Sequence, residues 1–375
     1  MTPANNQIRE TFIKWIESQS LIEKRYSNIK RLTENAGEGY FSLMFTAFDN
    51  ATNQKVALKF FDPQRGDNQY RLDCFGRETK MLQMFKGRSN ILQIMDGKSS
   101  LIFKATTAEG LPFQLPLQFF ATELARSDLT DYINSPTTSA KQNFLFFGEM
   151  CKAVRRIHRR RVCHRDLKPS NFLIFPQKDP RNKLRLSDFG TSRSFDRNAE
   201  PLLQRYEGPA GDITYTSPEL LFGLHSEEQC SFSNDLYSLG AILFEIFAKM
   251  NLNLILFNDI REIRILIELS YSMRERDRRT TFHDSIKGIA RRNPLPDIFA
   301  FNGEVPNCIK NRLNAFYKSL ANLDYRRRLG DFTTVFRQLN ICSIILREEE
   351  KYKRWKQMKK RFKKQTNKTL EQNND

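Results

Sequence analysis

Apolar residues recur along this chain at two periods, and each change of period marks a change of element. Near the start Ile8, Phe12, Trp15 and Ile16, with Gln19, fall on one helix face, which predicts a helical extension over residues 1–25. It is expected to pack on the region that follows; a separate binding role is the alternative. From Tyr26 the texture becomes strand-like over 28–32, 40–49 and 55–61, broken by Gly37, Gly39 and the polar turn Asn50-Ala51-Thr52-Asn53. A helix follows over 71–85, with Leu72, Phe75, Leu82 and Phe85 on its apolar face and Glu78 set to project inward. Two more strand-like runs, 91–95 and 99–105, precede the stretch 118–125. Residues 144–160 read as a long amphipathic helix, and another, strongly apolar, begins at Asp235. The stretch 251–307 reads only as helix-rich. Beyond Leu346, Tyr352, Trp355, Met358 and Phe362 form one stripe among lysines and arginines, and 365–375 are expected to be disordered.

Bulk properties narrow the class. A chain of 375 residues with 39% hydrophobic content can bury a sizeable core. Its most apolar run, 239–247, carries Glu245 and falls well short of the roughly 20 residues a bilayer-spanning helix needs. The opening Met-Thr-Pro-Ala-Asn-Asn-Gln lacks the basic and apolar segments of a secretory signal, so a soluble, cytoplasmic protein is expected. Six scattered cysteines, none at Cys-x-x-Cys spacing, read as reduced thiols and not as a zinc site or disulfide frame. The formal charge of +18 favours acidic partners, whether nucleic acid, anionic membrane or an acidic protein face; a solvated basic surface explains it equally.

Candidate chemistry concentrates in His164-Arg-Asp-Leu-Lys-Pro-Ser-Asn171. Within eight residues this run supplies a carboxylate to accept a hydroxyl proton (Asp166), an ammonium to neutralise a moving phosphoryl group (Lys168) and an amide oxygen suited to Mg²⁺ (Asn171). Lys59, in Val56-Ala-Leu-Lys59, lies on a strand that reads as buried on both faces, where its ammonium needs a carboxylate; Glu78 is the best placed. Gly37 and Gly39 let backbone amides approach phosphates, although a hairpin turn explains a lone Gly-x-Gly as well. Asp188-Phe189-Gly190 and Ser217-Pro218-Glu219 follow in order.

Taken jointly, these motifs resemble the eukaryotic-type serine/threonine protein kinase family over roughly Tyr26 to Leu339. The resemblance implies an α+β, two-lobed fold: a small lobe over 26–125 with an antiparallel sheet and one helix, and a mainly helical lobe over 126–340; beyond it the residues themselves read as a basic amphipathic tail over 341–375. It implies ATP and Mg²⁺ as cofactors and a protein substrate with a Ser or Thr acceptor, since lysine two places after Asp166 is the serine/threonine form. Asp166 would be the base, Lys168 would stabilise the γ-phosphate, and Asn171 and Asp188 would hold magnesium. Lys59 would hold the α/β-phosphates and be held by Glu78. Gly37 and Gly39 would cover the phosphates, Ala57 and Leu173 would sandwich the adenine, and backbone groups of Glu123 and Ala125 would read its edge beside Thr122. Asp128 would bond the ribose, or cap the helix at 129–133. His164, Phe189 and Leu82 would form an apolar column between the lobes, Asp235 would cap the catalytic-loop backbone, and Arg328 would pair with Glu219.

The departures from that pattern matter as much. Ser42 and Met44 stand where a third glycine and a valine are usual, which implies a stiffer loop that holds ATP less closely. Between Ser194 and Thr214 there is no Ser or Thr, so Glu207 is the expected fixed anion for Arg165. Asp212 replaces a threonine that normally links the catalytic Asp and Lys; it either restrains activity or yields the role to Thr214. Ser42 and Asp212 keep open a pseudokinase or scaffold, which the intact Lys59, Asp166, Asn171 and Asp188 oppose. A small-molecule kinase is opposed by the Ser217-Pro218-Glu219 platform. The tail is a candidate surface for nucleic acid, membrane or a partner groove, with docking on its own domain as the alternative. The basic run 155–161 admits either a nucleic-acid role or a solvated helix end.

Overall fold

The computed structural model describes residues 3–32, 42–63, 69–106, 110–135, 138–175, 184–204, 211–301 and 303–372. Its first layer is helix α1 (Pro3–Glu17), laid over one face of a six-stranded antiparallel sheet. The strands are β1 (Leu21–Ile22), β2 (Tyr26–Arg31), β3 (Ser42–Asp49), β4 (Gln54–Phe61), β5 (Ile94–Thr106) and β6 (Pro112–Glu123), in the order β1-β2-β3-β4-β6-β5. Helix α2 (Gln69–Met84) covers the opposite face. Because successive strand residues point to opposite faces, Val56, Leu58 and Phe60 of β4 enter the outer core while Ala57, Lys59 and Phe61 face inward. Phe12, Ile13 and Ile16 of α1 complete that outer core, and the rings of Phe12 and Trp15 meet Phe103 edge-on at 4.9 and 5.0 Å.

The N-terminal stretch is therefore part of the small lobe's core and supplies a strand, β1, paired with β2. The two strand-like runs expected at 91–95 and 99–105 are mostly one strand. The polar Asp96-Gly97-Lys98 interruption is absorbed as irregularities in the pairing of β5 with β6, which continues out to Thr106 and Pro112.

Beyond Glu123 come β7 (Ser127–Asp128), α3 (Leu129–Asn134), α4 (Ala140–His158), β8 (Val162–Cys163), β9 (Phe172–Ile174), β10 (Leu184–Leu186) and β11 (Arg193–Ser194). Helices then dominate: α5 (Pro201–Gln204), α6 (Pro218–Leu221), α7 (Glu228–Ala248), α8 (Leu252–Asp259), α9 (Arg261–Ser270), α10 (Glu275–Arg292), α11 (Lys310–Leu320) and α12 (Phe332–Gln372). Helix α7 is the axis of this lobe, buried at nearly every position from Cys230 to Ala248, which accounts for its apolar run. Among the described residues no single helix is long and apolar enough to cross a membrane. Helix α12 runs unbroken through the boundary expected at 340 and through much of the segment expected to be disordered. No glycine or proline interrupts residues 332–372, and Lys, Arg, Gln and Glu are good helix formers. Val335, Leu339, Cys342 and Leu346 anchor its first half in the core, against α4.

Glu219 and Arg328 are fully buried partners, with Arg328 Nη1 and Nη2 donating to the two carboxylate oxygens at 2.5 and 3.1 Å. Arg328 also donates to the carbonyls of Asn322 and Ser233. Arg328→Met leaves a buried carboxylate alone and is expected to cost ~3–5 kcal/mol in denaturant unfolding, with part of the loss recovered by Glu219→Leu in the same chain.

Candidate active site

The site is built where the inner face of β4 meets α2. Lys59 Nζ donates to Glu78 Oε1 and Oε2 at 2.9 and 2.7 Å, and Asp188 Oδ1 lies 4.0 Å from the same nitrogen. Burial lifts the Glu78 carboxyl to about 7 even against the pull of Lys59. Burial also opposes the charge on Lys59, but Glu78 and Asp188 outweigh it and hold the ammonium's pKa above its ordinary value. Asp188 is likewise disfavoured by burial, yet Lys59 and Lys168 keep its carboxyl below the usual range. These opposed shifts leave an ammonium and an ionised carboxylate facing one cavity.

The floor comes from the loop between β8 and β9. Asp235, at the first third of α7, accepts the backbone N–H of His164 and of Arg165 at 2.8 Å each, and meets His158 Nε2 at 2.8 Å. That clamp fixes a turn in which Arg165 takes a left-handed φ of 72°. Asn171 Nδ2 donates to the Asp166 carbonyl at 2.7 Å and to Oδ2 at 3.3 Å, and Lys168 Nζ lies 3.2 Å from the same Oδ2. His164 Nε2–H donates to the Ser187 carbonyl at 2.9 Å, and its ring meets Phe189 edge-on at 5.0 Å. Phe85 stacks on the other side of Phe189 at 5.9 Å, with Leu82 buried in the same core. Asp188 itself sits at φ 58°, a strained conformation for a residue with a Cβ.

Between floor and roof lies a cavity of about 230 Å³, whose lining brings Ala57, Lys59, Glu78, Thr122, Glu123, Ala125, Asp128, Asn171, Leu173 and Asp188 together. The Glu123 side chain is engaged elsewhere, with Arg185 and the Gln93 amide, so only its backbone is available inside. Asp128 caps α3, accepting from Thr130 N at 2.7 Å, while still lining the cavity. Gly37 and Gly39 lie outside the described residues, as does Glu207. Ser42 and Met44, the departures next to the glycines, line the cavity, and Ser42 is buried.

Asp188 and Asn171 offer two oxygen donors to a cation, the Asn171 amide nitrogen being committed to the catalytic loop. Among the described residues no three His, Cys, Asp or Glu side chains converge on a metal site. A small set of hard oxygen donors completed by phosphate suits a divalent cation that keeps water and substrate ligands instead of a full protein cage.

Two residues escaped the sequence reading. Gly211, at φ 49°, lies so close to the catalytic loop that a Cβ would meet the Arg165 carbonyl at 2.4 Å and Asp166 Oδ1 at 2.9 Å. That approach lets the Asp212 N–H donate to Asp166 Oδ1 at 2.8 Å. The second is Arg77, buried beside Glu78, which donates to the Gly190 carbonyl at 2.5 Å and the Leu202 carbonyl at 3.1 Å, tying α2 to the segment after Asp188. A cation amid the apolar face of α2 was its only signal.

The sequence matches the protein kinase domain family across residues 31–340. It is 29% identical over 264 residues to "Extracellular signal-regulated kinase 1" of Dictyostelium discoideum, covering 69% of this chain and 44% of that protein. It is 27% identical to "Cyclin-dependent kinase B2-1" of Arabidopsis thaliana, over 63% of this chain and 69% of the relative. "Mitogen-activated protein kinase spm1" of Cytospora mali is also 27% identical, over 65% of this chain and 53% of its own length. The chain thus spans about half the length of the first and third of these.

Gly211→Ala should lower stability by about 1–3 kcal/mol in denaturant unfolding, because the methyl must displace the Arg165 carbonyl from a left-handed backbone.

Proposed function

The chain belongs to the protein kinase domain family, and from that premise we propose that it transfers the γ-phosphoryl group of ATP to Ser or Thr hydroxyls of protein substrates. The observation that carries this reading is the closed Lys59–Glu78 pair with Asp188 at 4.0 Å from the same ammonium, facing the loop that carries Asp166, Lys168 and Asn171. Families of this kind use ATP and a divalent metal; for this chain we take the metal to be Mg²⁺.

Phosphoryl transfer asks a protein chiefly for positioning and for charge where charge develops. Ala57 and Leu173 close on the adenine from the two lobes, and the backbone at Glu123 and Ala125 meets its edge. Lys59, oriented by Glu78, draws in the α- and β-phosphates. When bound, Mg²⁺ held by Asp188 and Asn171 neutralises phosphate charge. The Asp166 carboxylate orients the acceptor hydroxyl and takes its proton, and Lys168 stabilises the charge on the transferring group. We place the protein in the cytoplasm as part of the same proposal; five of the six cysteines are buried.

One observation favours a slow enzyme. Asp212 Oδ1 accepts both the N–H and the hydroxyl of Thr214, at 3.0 and 2.6 Å, and its Oδ2 lies 3.8 Å from Lys168 Nζ. Thr214 is thereby turned onto Asp212, and Lys168 stands between two carboxylates. Burial opposes its charge, but Asp166, with Asp188 and Asp212, outweighs burial and raises its pKa. A cation already compensated on both sides has less to give to a phosphoryl group. The restraint reading follows.

Incubation with radiolabelled ATP, Mg²⁺ and a generic basic protein should place label on Ser or Thr, and Asp166→Asn or Asp188→Asn should abolish it; label that survives both changes contradicts the proposal. Asp212→Thr should raise kcat about two- to tenfold with KM for ATP little changed, as expected for charge stabilisation in the transition state. An unchanged kcat argues against restraint by Asp212.

A further inference from the structure

Past its anchored first half, α12 carries an unbroken exposed run. Every residue from Lys351 to Lys359 is exposed, and Tyr352, Trp355 and Met358 keep 52%, 50% and 54% of their surface in solvent. The rings of Tyr352 and Trp355 stack at 6.0 Å with 20° between their planes, making one apolar plate. Lysines roof it: Lys356 Nζ lies 4.6 Å from the Tyr352 ring centre and Lys359 Nζ 5.1 Å from that of Trp355. Phe362 continues the spacing in the sequence.

Between Lys351 and Leu370 the sequence has ten Lys and Arg and no Asp or Glu. Two of these cations, Lys351 and Lys353, meet Glu348 and Glu349 of the preceding turn at 2.9 Å. The remaining eight have no acidic residue in that span to offset them. Aromatic side chains with an apolar body, flanked by flexible lysine stems, suit the boundary between lipid headgroups and acyl chains. Anionic headgroups then take the cations at the depth where the stripe finds hydrocarbon.

We propose that the exposed half of α12 docks the kinase on an anionic lipid bilayer, lying in the interface with Tyr352, Trp355 and Met358 inserted. The other occupants fit less of what is seen. Nucleic acid satisfies the cations and its bases can stack on the rings, but it gives no apolar partner to Met358. Stripe-to-stripe pairing with a second copy would set ten cations against ten. A membrane takes both the charge and the stripe, and no helix needs to span it.

The test uses the full chain carrying Trp15→Phe, which leaves Trp355 as the only tryptophan. Vesicles of phosphatidylcholine with phosphatidylserine should shift its emission to the blue and co-sediment the protein, whereas pure phosphatidylcholine should do neither. Starting from the native chain, Tyr352→Ser with Trp355→Ser and Met358→Ser, all exposed positions, should weaken co-sedimentation by about tenfold or more. Lys356→Glu with Lys359→Glu should do the same. The thermal midpoint and the ATP-labelling rate in solution should stay as in the parent, separating loss of docking from loss of fold or catalysis. Failure to co-sediment, equal binding to neutral vesicles, or unchanged binding by the triple-serine variant overturns the proposal. Displacement from vesicles by a DNA or RNA oligonucleotide at lower concentration than it takes with soluble phosphoserine replaces it with a nucleic-acid surface, and a salt-resistant dimer replaces it with self-association.

Discussion

A lysine ammonium placed on the inner face of a buried strand is the constraint around which both lobes are arranged. Burial there opposes the charge on Lys59; Glu78 and Asp188 outweigh it, one from α2 and one from the segment after β10. Three elements distant in sequence are thus drawn to one nitrogen, and each must be held from behind. Phe61 and Phe120 pack against Phe75 of α2, and Phe189 meets both Phe85 and His164. The electrostatics of the cleft and the packing of the cores are one problem: the charges stay paired only while the apolar contacts keep the elements in register.

The large lobe solves the matching problem for Asp166 with two buried carboxylates. Asp235 on α7 holds the catalytic loop by its amides, and Glu219 on α6 is fixed to Arg328, itself close to the Tyr237 ring of α7. Helix α7 is buried at most of its positions, so Asp235 and the ring of Tyr237 are held within the core. Gly211 then brings the following segment against Asp166 as closely as backbone can come. Catalytic geometry here is set largely by main-chain atoms, which is why a carboxylate at Asp212 can enter beside Lys168 without disturbing the loop.

Helix α1 and the long β5–β6 hairpin show how the small lobe is finished. A sheet with α2 on one face and water on the other would expose Phe45, Phe60 and Phe119; α1 and Phe103 cover them. At the other end of the chain α12 belongs to the large lobe through Leu346 and then leaves it. One continuous helix joins a structural half to an exposed basic stretch at 351–359.

The sequence alone determined the parts whose meaning is local. Eight consecutive residues carry Asp166, Lys168 and Asn171, three carry Asp188, and alternation on β4 makes Lys59 inward-facing, so the reacting groups and the family resemblance were legible without coordinates. Amphipathic spacing likewise announced α1, α2 and α4. What only the tertiary structure decided depends on contacts between segments far apart. The role of Gly211 exists because Arg165 is there to be struck, and Arg77 matters because the Gly190 and Leu202 carbonyls converge on it. Thr214 bonds the Asp212 side chain while the Asp212 amide bonds Asp166, an arrangement that needs both segments in place. A periodic pattern reports which face of an element is apolar; it carries no information about which distant backbone atom will stand opposite that face, and that pairing is what chain packing supplies.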